Sequence, residues 1–253
     1  MLLVPQALEG YDIVASDGRL GHVRDLLFDD RSWAFRWIVV NTGSWLSKRL
    51  VLIHPSATLN VDHERRTIRV DLSRLQVENS PDIAEDRPVS QQSQRALFDY
   101  YGWNPAFGPV YFGMDAMGSE ESRARSIKEE QQTGDTDYLG KPADPHLRSA
   151  AAVSGYHIEA NDGLVGHLEN FLFDDQSWGI RYLIVDTLNW WPGRHVLLAP
   201  YAVTAIDWDA RTIRVSVSRD QIKGSPPWDP ADIIDQADEK RIHAHYGWPG
   251  YDI

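Results

Sequence analysis

The 253-residue chain contains no cysteine. Disulfides, thiolate metal sites and cysteine nucleophiles are therefore excluded, and a reducing, cytoplasmic setting is the natural expectation. Long apolar runs are missing as well: no stretch approaches the roughly 20 residues that cross a bilayer as a helix. Positive charge is scarce. Lys and Arg number 25 against 37 Asp and Glu, a formal net charge of −12. Such a surface repels phosphate backbones and anionic lipid heads, and no Lys/Arg run offsets it, so nucleic-acid binding is not expected. The opening residues, MLLVPQALEG, have no basic segment and no small-residue cleavage site, so no signal peptide is expected. There is no G-x-S-x-G, no phosphate-cradling glycine loop and no H-E-x-x-H. Neither an enzyme nor a cofactor is expected.

What the chain does have is a duplication. GHVRDLLFDDRSW, beginning at Gly21, returns as GHLENFLFDDQSW, beginning at Gly166. The match runs without a gap from Gly10 to Trp103 against Gly155 to Trp248, and 38 of those 94 positions are identical. Two copies make two domains rather than a solenoid. The expected division is 1–103, a linker over 104–150, and 151–253. The linker is rich in Gly, Pro and charge and is expected to be mostly irregular. Within it, residues 107–112 could pack on a domain and residues 122–132 could form a short helix.

Within a copy the periodicity is short. YDIVAS, LGHVRDLLFD, FRWIVVNT, KRLVLIHP and the pair TLNVD and TIRVDL read as strands separated by turn signals, the pattern of a small all-β barrel or sandwich. The tail differs: Ala96, Leu97 and Tyr100 sit at helical spacing, with Gly102 as a C-cap.

The residues Gly10, Ile13, Asp17, Gly18, Gly21, Val23 and Asp25 fit G-x-x-[IV]-x-x-x-D-G-x-x-G-x-[IV]-x-D, and the second copy follows with Gly155, Ile158, Asp162, Gly163 and Gly166, with Leu168 in place of Val23 and Asn170 in place of Asp25. This pattern resembles the PRC-barrel family, named for the cytoplasmic domain of the photosynthetic reaction-centre H subunit. The D-D-x-S-W segments from Asp29 and Asp174, and the Y-Y-G at Tyr100–Gly102, resemble a bacterial subgroup of stand-alone members. The resemblance implies a mainly β protein: two small PRC-type β-barrels, each followed by a C-terminal helix, joined by a long irregular linker. It also implies a protein-binding or assembly role. Two departures stand out: the H subunit has a transmembrane helix that this chain lacks, and the family's ribosome-maturation member works on an RNA-rich particle that this acidic chain would repel.

Several residues could carry chemistry. His22 and His167, with the pairs Asp29-Asp30 and Asp174-Asp175, are candidates for a metal or small ligand. The plainer reading is that the glycine before each His allows a tight strand entry and that the carboxylates build turns. His243 and His245 lie on different sides of a helix and read as surface residues. Trp33 and Trp178 read as core. Trp45, Trp190 and Trp191, in the loop before the fourth strand, are candidates for partner contact. Arg36 and Arg181 sit in apolar strands and should each form a structural ion pair, with Asp25, Asp29 or Asp30 and with Asp174 or Asp175 as the expected carboxylates. The function expected is a non-enzymatic adaptor that binds a protein partner or forms a homo-oligomer. The alternatives are a ligand or metal sensor and a peripheral component of a membrane-associated complex.

Overall fold

The computed structural model describes residues 1–81, 89–104, 144–187, 194–229 and 234–251. The segments at 107–112 and 122–132 lie outside the described residues, as do Trp190 and Trp191.

The chain forms two compact units, one of residues 6–149 and one of residues 1–5 with 150–253. The unit boundaries thus differ from the repeat boundaries. Each unit is built on a seven-stranded sheet.

In the first unit, β2 (Asp12–Ala15) turns back into the 12-residue β3 (Gly18–Asp29), which pairs antiparallel with β4 (Ala34–Asn41). β4 pairs with β5 (Leu50–Ile53). The hairpin of β6 (Thr58–Asp62) and β7 (Thr67–Val70) returns so that β7 lies parallel to β2. The order is β5-β4-β3-β2-β7-β6. β4 and β5 are buried along nearly their whole length, which explains their unbroken β-branched and aromatic runs. α2 (Arg74–Glu78) starts from a capping box made by Ser73 and Gln76. α3 (Gln91–Tyr101) ends on Gly102 at φ 70°, the left-handed conformation a helix-ending glycine supplies at no steric cost. Beneath α3, Trp37, Val39, Leu50, Leu52, Val89 and Leu97 form a buried cluster.

The second unit repeats this plan at the offset of 145. β9 (His157–Ala160), β10 (Gly163–Asp174), β11 (Ile180–Asp186), β12 (His195–Leu198), β13 (Val203–Asp207) and β14 (Thr212–Val215) take the same order, again with one parallel pair. α5 (Arg219–Lys223) and α6 (Gln236–Tyr246) follow.

Each copy is led by a short strand and a four-residue helix: β1 (Leu2–Leu3) with α1 (Pro5–Leu8), and β8 (Leu147–Ser149) with α4 (Ala150–Val153). β8 lies in the stretch expected to be an irregular linker. The two leading strands are exchanged. β1 pairs with β10 of the second copy, and β8 pairs with β3 of the first.

Candidate functional site

The repeated phrase forms a hairpin tip. In the first copy Asp29 Oδ1 accepts from the N–H of Arg31 at 3.0 Å, the N–H of Ser32 at 2.8 Å and the Ser32 hydroxyl at 3.1 Å. The N–H of Trp33 donates to the Asp29 carbonyl at 2.9 Å, and Trp33 takes φ 50°. A left-handed tryptophan is costly. Burial holds it there: Trp33 is 3% exposed and stacks on Phe28. Asp174 and Trp178 repeat the arrangement, with Trp178 at φ 59°. The first Asp of each pair is therefore a turn builder, and its backbone hydrogen bonds hold the Asp174 carboxyl below its usual range against the opposing effect of burial.

The second Asp of each pair does something the sequence did not disclose. β2 covers the outer edge of β3 only as far as His22. Beyond it, Leu27, Phe28 and Asp29 pair with Ser149, Arg148 and Leu147 of β8. Asp30 closes this edge. Its N–H donates to the carbonyl of His146 at 3.0 Å, and its carboxylate meets His146 Nδ1 at 2.8 Å and Arg148 Nε at 3.9 Å. The Ser149 hydroxyl donates to Asp25 at 2.5 Å. Leu147 enters the cluster under α3. Asp144 accepts from the Gln94 amide at 2.6 Å, and Gln94 in turn accepts from the Trp37 indole at 2.9 Å. Burial pushes the Asp30 carboxyl above its ordinary value, and His146 and Arg148 oppose the shift. In the second copy Asp175 N–H donates to the Met1 carbonyl at 3.0 Å, and its carboxylate meets the Met1 amino group at 2.5 Å.

The Gly-His pairs have a steric explanation. A Cβ on Gly21 would lie 2.0 Å from the Asn41 carbonyl oxygen, and one on Gly166 would lie 1.9 Å from that of Asp186. His22 pairs across the ladder with Asn41 and is half-buried. His167 Nε2 lies 3.6 Å from Asp186 Oδ2. Among the described residues no group of three His, Asp or Glu is arranged to hold a metal ion.

Trp45 is half-buried rather than free. Its indole N–H donates to the Leu20 carbonyl, and the Arg74 guanidinium stacks over its ring at 4.4 Å.

The ion pair of Arg181 departs from expectation. Its partner is Glu239 on α6, at 3.3 Å, rather than Asp174 or Asp175, because Asp174 is committed to its own turn and Asp175 to Met1. Arg181 also stacks on Tyr251 at 3.9 Å. In the first copy Gln94 stands where Glu239 does, so the helix brings an amide there instead of a carboxylate. Both Arg181 and Glu239 are nearly buried, with side-chain exposures of 13% and 12%. Glu239→Ala, which strands the guanidinium, is expected to cost about 3 kcal/mol. Glu239→Gln, the first copy's own solution, should cost clearly less. Urea unfolding of the two variants checks this.

Each helix packs over a buried imidazole. In the first copy His54, fully buried, sits against Trp37, Phe98 and Trp103, and its Nδ1 accepts from the Ser56 N–H. In the second copy Ala199 replaces His54, and His243 replaces Phe98. His243 is 3% exposed, which corrects its reading as a surface residue. Its Nδ1 donates to the Pro249 carbonyl, and its Nε2 lies 3.0 Å from the Tyr182 hydroxyl. Burial lowers the affinity of both rings for a proton, His54 to a pKa of about 3 with help from Arg36. The folded chain then binds this proton more weakly than the unfolded chain, whose His titrates near 6.5. The stability is complete above about pH 6.5 and is lost as pH falls toward 3, with about 2 kcal/mol gone at pH 5 from His54 alone. Denaturation at pH 7 and pH 5 should show this loss in the wild type and a smaller one in His54→Gln.

Each copy is thus a mainly β unit whose sheet is completed at one edge by a short strand. Residues 6–77 match the family model of the PRC-barrel domain, so the chain carries a PRC-barrel domain in its first unit. No curated protein matches the chain. No helix among the described residues is long and apolar enough to cross a membrane.

Proposed function

We propose that the chain is a non-enzymatic binding and assembly module that holds other protein chains. The observation that carries this reading is the completed edge of β3 and its copy in β10. Each takes a short strand from outside its own repeat through main-chain hydrogen bonds, with a carboxylate at the end of the edge. In the first unit a buried apolar position adds to it. These are the elements of recognition by strand addition. The PRC-barrel match supports the same reading. Trp190 and Trp191, with the part of the Trp45 ring that Arg74 and the strand leave exposed, are the proposed contact residues for a heterologous partner, since aromatic side chains dominate interface energetics.

The test is crosslinked capture of the tagged full-length chain from its native host beside Trp45→Ala/Trp190→Ala/Trp191→Ala. A partner identified by mass, held by the wild type and lost by the variant, is the expected result. No partner from either soluble or membrane fractions would overturn the reading.

A further inference from the structure

The leading strand of each repeat, we infer, is a transferable element, and the partner that its acceptor edge fits is the leading strand of a second copy of this chain. The inference deepens the assembly reading above and rests on it.

The register is the first ground. Leu147 pairs with Asp29 and Arg148 with Phe28 in one unit; Leu2 pairs with Asp174 and Leu3 with Phe173 in the other. Subtracting the repeat offset of 145 makes these the same pairs. The closing bond repeats as well, from Asp30 N–H to the His146 carbonyl and from Asp175 N–H to the Met1 carbonyl, both at 3.0 Å. Two donors whose sequences differ nearly everywhere, MLLV and HLRS, therefore seat in the same register on two acceptors. What they share is the leucine at the second position. The acceptor reads backbone geometry plus one apolar side chain, with a carboxylate at the end of the edge that meets a nitrogen of the first residue, His146 Nδ1 or the Met1 amino group. Such a reader accepts the same element from any copy of the chain.

Connectivity is the second ground. Each donor belongs to one unit and its chain continues directly into the other, between Pro5 and Gln6 and between Ser149 and Ala150. A strand seated outside its own repeat at a one-residue crossing has the form of a swapped element. The exchange already occurs between the two copies within one chain. The seats are short, two ladder pairs for β1 and three for β8, so release of a donor disrupts little of either sheet. Tethering favours the intrachain partner at low concentration, and a second chain competes as concentration rises.

The absence of cysteine makes the test direct. Full-length Leu27→Cys and full-length Ser149→Cys, whose positions face each other across the ladder, are mixed at high concentration, cycled through mild denaturant and oxidised. The expected product is the mixed disulfide dimer, in about tenfold excess over either homodimer. Leu27→Cys paired with Ala151→Cys, off register, should show no excess. The double variant Leu27→Cys/Ser149→Cys, unmixed and dilute, should close within one chain. Closure of the double variant without any excess of the mixed dimer would overturn the proposal, because exchange would then be confined to one chain. Failure of the double variant to close would overturn it too. Ser149→Cys with the conservative Leu27→Met as a folding control separates loss of the strand seat from loss of the fold at Leu27. None of these results bears on capture of a heterologous partner, so the two readings fail separately.

Discussion

Gly21→Ala is expected to destabilise the first unit by about 3 kcal/mol or more, and to lower its melting temperature by about 10 °C or more. The added methyl would stand 2.0 Å from the Asn41 carbonyl oxygen and 2.9 Å from the Thr42 Cα. Both obstacles are backbone, so no side chain can swing aside. Relief requires that β3 and β4 separate where His22 faces Asn41, at the end of a ladder whose other residues are nearly all core. Gly166→Ala should do the same to the second unit, where the clash is 1.9 Å with Asp186. A thermal melt followed by circular dichroism checks both. The role is local close packing, and φ at these two glycines is not positive.

Leu147→Ala is expected to cost about 2–4 kcal/mol, and to cost it in the first unit. Leu147 is 4% exposed and belongs to the cluster of Trp37, Val39, Leu50, Leu52, Val89 and Leu97. Truncating it opens a cavity under α3 and weakens the seat of β8. On sequence grounds the residue lies in a linker, where the same change would be silent. Urea unfolding of the full chain, against a control substitution at the exposed Leu59, separates these two expectations. Leu2→Ala should be milder, since Leu2 is only half-buried.

The strands of each copy were legible because they follow simple rules. Alternation marks β2 and the hairpin of β6 and β7. Nearly continuous apolar runs mark β4 and β5, which are buried along nearly their whole length. The helix before Gly102 was legible from its spacing and its cap. The parallel pairing of β2 with β7 was not, because parallel partners leave no local turn signal. The leading strands were not legible either. They are two and three residues long, too short for a period, and the pairwise likeness fades before Gly10. One signal was available: extending the repeat backward places Leu2 on Leu147 and Ala7 on Ala152. That signal locates the element but cannot say which copy receives it.

The site divides along the same line. Asp29 and Asp174 were readable as turn builders, since an Asp ahead of Ser-Trp answers its own backbone. Asp30 and Asp175 were not, because their partners come from residues 146–148 and from Met1. Arg181 sits in an apolar strand, which calls for a carboxylate without saying which element brings it. Its partner came from α6, because the nearer carboxylates were already engaged. His243 was read from its neighbour His245, when the aromatic wall of Tyr182, Tyr251 and Trp248 decides its burial.

The central claim is that each sheet is completed by the leading strand of the other repeat. Amide hydrogen exchange on full-length Leu2→Ala/Leu3→Ala tests it most directly. The structure predicts faster exchange over residues 172–175 and unchanged protection over residues 27–30. Loss of protection over 27–30, with 172–175 unmoved, would mean that each leader pairs within its own repeat and would contradict the account.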